Sequence, residues 1–100
     1  MSNEPIYSVL SGKDCCTGNL NISGMSSGNG CYTYASANNW QNESGGFFHA
    51  YMSGSSLIVD NMMTMQQVAS IVYYVANPPC PITGTHPIAG GGNATVTCGC

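Results

Sequence analysis

The sequence predicts an α+β domain: a small β-rich body of about four to six short antiparallel strands with one amphipathic helix, about 61–77, packed on the sheet. Three observations lead there. Residues 60–79 carry the clearest period in the chain, short strand-like runs cluster before that segment, and one further run, Ala94-Thr95-Val96-Thr97, follows it. A chain of 100 residues holds one hydrophobic core. It is read as a single domain, 1–100: an N-terminal arm over 1–30 with Cys15-Cys16, a core over 31–77, and a Pro/Gly-hinged C-terminal arm over 78–100, so that both arms carry cysteines.

In chain order, Ile6-Tyr7-Ser8-Val9-Leu10 reads as a strand, Leu20-Asn21-Ile22 alternates briefly, and Gly28-Asn29-Gly30 marks a turn. Tyr32-Thr33-Tyr34-Ala35 reads as a strand, and Ala37-Asn38-Asn39-Trp40-Gln41-Asn42 as a polar loop around one large aromatic. Residues 47–52 and Leu57-Ile58-Val59, separated by Ser53-Gly54-Ser55-Ser56, make the strongest hairpin signal. The helix follows. At about 100° per residue, Met62, Met65, Val68, Ala69, Ile71, Val72, Val75 and Ala76 share one arc. Asp60 or Asn61 supplies an N-cap, and Pro78-Pro79 end the segment. The competing reading makes Val68–Val75 a strand, because most of those side chains are β-branched or aromatic. Gly90-Gly91-Gly92 reads as a flexible joint before the last strand.

Charged residues are 5% of the chain, against about 25% in an ordinary soluble domain. The net charge is −3 and Lys13 is the sole Lys or Arg. Nucleic-acid binding is therefore excluded, because displacing counterions from phosphates needs clustered cations. No apolar run approaches the roughly 20 residues needed to span a bilayer as a helix. Weak charge repulsion also leaves a protein prone to self-association.

Cys15, Cys16, Cys31, Cys80, Cys98 and Cys100 form the candidate cross-link set, with their pairing open. Neighbouring side chains in an extended arm point to opposite sides, so Cys15-Cys16 favours two separate partners. Two readings stand side by side: a framework closed within the chain, and arm cysteines bonded to neighbouring subunits. The residues at 1–5 show neither a basic n-region nor an apolar h-region of a signal peptide.

Other chemistry reads weakly. The CC and CxC spacings are not the C-x₂₋₄-C grip of zinc, and no metal or cofactor site is expected. The methionines invite a copper(I) reading through their soft thioethers, set aside because Met62 and Met65 lie on the apolar helical arc as core filler. His49 and His86 lack a cysteine-nucleophile signature, and Glu4, Asp14, Glu43 and Asp60 are scattered. No catalytic residues and no enzyme activity are expected. Asn21, Asn42 and Asn93 head N-x-S/T triplets that occur by chance at this composition.

The expectation is a self-associating structural subunit, a homo-oligomer or polymer, of an extracellular or surface fibre, appendage or coat, stabilised by disulfides. The alternatives are a monomeric secreted disulfide-rich toxin, effector or signalling ligand, and a thiol redox or metal-binding protein. In organisation, Cys15-Cys16 in an N-terminal segment without a visible signal is similar to the disulfide-crosslinked subunits of bacterial spore appendages. The central helix departs from the all-β character that this resemblance implies.

Overall fold

A computed structural model describes residues 16–42 and 47–100. The 6–10 strand, Cys15, Glu4, Lys13, Asp14 and Glu43 lie outside the described residues.

The described chain is all-β, which corrects the α+β expectation. Eight antiparallel strands, β1 (Leu20–Ser23), β2 (Gly30–Ser36), β3 (Asn39–Asn42), β4 (Phe48–Ser53), β5 (Ser56–Asn61), β6 (Gln66–Val72), β7 (Gly84–Pro87) and β8 (Asn93–Cys98), run in the order β6-β5-β4-β3-β2-β1-β8-β7. The sheet nearly closes into a barrel. Its two terminal strands meet where Ile71 bridges Ile88 and the Ala89 N–H donates to Ser70 O at 2.8 Å. β2 makes the corner: Gly30, Cys31 and Tyr32 pair with β1, and Thr33, Tyr34 and Ser36 pair with β3.

The helix expected over about 61–77 is β6 flanked by a hairpin loop and an irregular connection. Its apolar residues satisfy both periods, and the two-residue period wins: Ala69, Ile71 and Tyr73 are buried while Ser70 and Val72 lie only partly covered. Val68, Ile71, Val72, Tyr73, Tyr74 and Val75 favour the pleated surface of a sheet. Asn61 does cap backbone, but at a loop: its Oδ1 accepts from the N–H groups of Met63 (2.9 Å) and Thr64 (3.2 Å). Such Asx geometry serves a turn as readily as a helix start.

The remaining elements follow the same alternation. Leu20 and Ile22 flank Asn21 in β1, Leu57 and Val59 flank Ile58 in β5, and Ala94 and Val96 flank Thr95 in β8; each of these pairs is buried. Burying a Leu, Ile or Val side chain stabilises by about 1.5–3 kcal/mol. These strands meet Tyr32, Trp40, Phe48 and Ala50 in one core. The segment read as a polar loop contains β3, whose Trp40 is buried and donates Nε1–H to Gly18 O at 3.0 Å. The predicted hairpin is present as β4–β5, joined through Gly54 at φ 61. Gly90-Gly91-Gly92, read as a joint, lies in the β7–β8 turn, closed by Ile88 N–H to Gly92 O (2.9 Å) and Gly91 N–H to Ile88 O (3.0 Å). The parts of 1–30 and 78–100 that are described therefore contribute β1, β7 and β8 to the sheet.

Candidate functional site

The cysteines occupy the half of the sheet where distant parts of the chain must meet. β1 pairs with β8 with Leu20 opposite Cys98, and this ladder has no short turn to set it. Cys31 of β2 bonds to Cys100, with Cα atoms 5.9 Å apart. Cys16 bonds to Cys80, in the connection between β6 and β7, with Cα atoms 4.9 Å apart. Cys98 is also disulfide-bonded. Cys16–Cys80 and Cys31–Cys100 close within the chain across sequence separations of 64 and 69. Disulfides persist in oxidising compartments, and among the described residues no helix is long and apolar enough to cross a membrane. A sulfur committed to a disulfide offers no thiolate for nucleophilic attack.

The loop between β1 and β2 seats against β8. Gly24 has φ 90, and a Cβ there would stand 2.7 Å from Asn93 O. Only glycine fits, because both the conformation and the close approach exclude a side chain. Asn29 closes the same loop, accepting from Met25 N–H at 2.9 Å and donating Nδ2 to Met25 O at 2.8 Å. The Tyr32 hydroxyl donates to Gly28 O, and burial holds its pKa far above the usual phenol value. Tyr73 is raised likewise, with the Ile82 backbone offsetting a little of the effect. Its Oη has no hydrogen-bond partner of full geometry, and its ring meets His86 edge-on at 4.7 Å. The His86 Nε2 lies 3.0 Å from Thr83 O.

A second group of polar side chains lies on the outer face of β4 and β5. His49 stacks on Tyr51 with ring centroids 5.1 Å apart and stands opposite Asp60 in the ladder. Tyr51 hydrogen-bonds Asp60, and partial burial followed by that carboxylate raises its pKa. The Met62 N–H donates to Phe47 O at 2.9 Å, extending the ladder one residue past β5. By strand alternation Met62 shares the outer face with Asp60 and lies diagonal to His49. Beyond it, Met63 and Met65 are each 76% exposed at the β5–β6 tip. This overturns the expectation that Met65 is core filler. Among the described residues no three of His, Cys, Asp and Glu converge as metal ligands.

Of the N-x-S/T asparagines, Asn42 is 1% exposed and donates Nδ2 to Asn29 O at 3.3 Å, Asn21 is half-buried and Asn93 is exposed. The cysteine pairing and the His49–Tyr51–Asp60 cluster escaped sequence reading because both depend on strand register. The exposed methionines had a local signal, three Met within 62–65, masked by the helical period. Comparison with known protein families, characterised proteins and solved structures returns no match for this chain.

Proposed function

We propose that the chain is a structural, self-associating subunit of an extracellular or surface assembly, hardened by disulfides inside each subunit. The observation that carries this reading is the joint placement of two intrachain disulfides and a nearly closed, charge-poor β-sheet. The bonds fix the non-local half covalently, and the low charge leaves little repulsion between copies. Association between subunits then does not depend on Cys16–Cys80 or Cys31–Cys100. The all-β architecture also removes the departure from the spore-appendage resemblance that rests on Cys15-Cys16.

The runner-up is a monomeric secreted toxin, effector or ligand, and the intrachain pairing favours it equally. Negative-stain microscopy of the natively purified protein, with non-reducing and reducing gels of the same sample, separates the two. Ordered polymers that dissociate in detergent to a single non-reduced band near 10.4 kDa support the structural reading. A monodisperse monomer at high concentration overturns it in favour of the ligand.

A further inference from the structure

The β5–β6 tip is an unusual solvent-facing turn. Hairpin tips favour Gly, Asn and Asp, which take left-handed conformations without strain and interact well with water. Here residues 62–65 are Met-Met-Thr-Met, and Met65 itself occupies the left-handed region at φ 59. Backbone strain of this kind collects at functional sites. The two Asn61 hydrogen bonds hold the loop, and Met63 and Met65 project into solvent at 76% exposure where they contribute little to the core. Next to the tip, Met62 shares the outer face with His49 by strand alternation, and the His49 ring stacks on Tyr51.

We propose that this tip binds a soft monovalent cation of the copper(I) class, with the Met63 and Met65 thioethers as principal ligands and Met62 and His49 completing the set. Thioether sulfur is a neutral, polarisable donor that prefers d¹⁰ monovalent ions over the hard cations Mg²⁺ and Ca²⁺, and imidazole accepts the same ions. Asp60, opposite His49, places a carboxylate beside neutral donors that carry no charge of their own. The site is separate from the disulfides and does not depend on whether the chain assembles.

Silver(I) is the probe, because it shares the preference for soft donors and needs no reductant that would open the disulfides. The oxidised full chain, labelled with ¹³C at the methionine methyl groups, is titrated with silver nitrate in chloride-free buffer. One equivalent is expected to move the Met63 and Met65 methyl resonances most and Met62 less, leaving Met25 and Met52 in place. The double variant Met63→Leu with Met65→Leu keeps the volume of an exposed tip and is expected to weaken binding by roughly 10–100-fold, and His49→Gln by about 3–10-fold. Calcium at the same concentration moves nothing. The proposal is overturned if equimolar silver leaves the tip resonances unmoved, if Met52 responds as strongly as Met63, or if the folded double variant binds as tightly as the parent.

Discussion

The two halves of the sheet are held by different means. From β3 to β6 each strand pairs with its sequence neighbour, and Trp40, Phe48, Ala50, Leu57, Val59, Ala69 and Ile71 are buried in alternation, with no disulfide within these strands. From β2 through β1 to β8 and β7 the ladder instead joins Leu20 to Cys98, and the Cys16–Cys80 and Cys31–Cys100 disulfides lie in or beside this half. Closing a long loop costs more chain entropy than closing a hairpin. Covalent bonds therefore sit where ordering the chain is most costly, and the local meander is free to carry an exposed, strained tip.

Removing the Cys31–Cys100 bond tests that difference most strongly. Cys31→Ala with Cys100→Ala should cost about 4 kcal/mol by the loop-entropy relation. Hydrogen exchange should reveal deprotection of β1 and β8 before β4 and β5; equal deprotection of both regions would erase the distinction. Next in size, Gly24→Ala should cost about 2–3 kcal/mol in urea unfolding, from left-handed strain and the clash with Asn93 O. Gly54→Ala, with the same φ sign but open space, should cost less.

Alkaline pH probes the buried tyrosines. Tyr32 and Tyr73 keep their protons in the folded state to a pH well above the ordinary phenol value of 10.0. Their contribution is complete below the unfolded value and is lost as pH rises towards the folded value. Each should reduce stability by up to about 1.4 kcal/mol per pH unit above pH 10. Tyr32→Phe and Tyr73→Phe should each flatten that slope. At neutral pH Tyr32→Phe should cost about 1 kcal/mol, because it strands Gly28 O, while Tyr73→Phe should be nearly neutral. The smallest effect belongs to the tip, where Met65→Asn should stabilise by about 0.5 kcal/mol through relief of left-handed strain.

What the sequence discloses follows the same division. The β4–β5 hairpin is legible because alternation and Ser-Gly-Ser-Ser lie within one short window. β3 was missed because Asn39-Trp40-Gln41-Asn42 offers one apolar residue and no period. In β6, Val68, Ala69, Ile71, Val72 and Val75 fit a helical arc and a strand alike, and only pairing with β5 decides between them. The six cysteines could be named as the cross-link set, yet which sulfurs meet depends on the β1–β8 register, a contact between opposite ends of the described chain.

The most direct test of the central claim, that disulfides harden each subunit from within, is linkage mapping on a mixed-isotope sample. Equal amounts of ¹⁴N and ¹⁵N protein are reduced, pooled, reoxidised and allowed to associate. Peptides are then released with pepsin at low pH, where disulfides do not exchange, and weighed without reduction. The account predicts Cys16–Cys80 and Cys31–Cys100 linked peptides in which both halves carry the same isotope. Linked peptides of mixed isotope at the statistical proportion would contradict it and place those bonds between subunits.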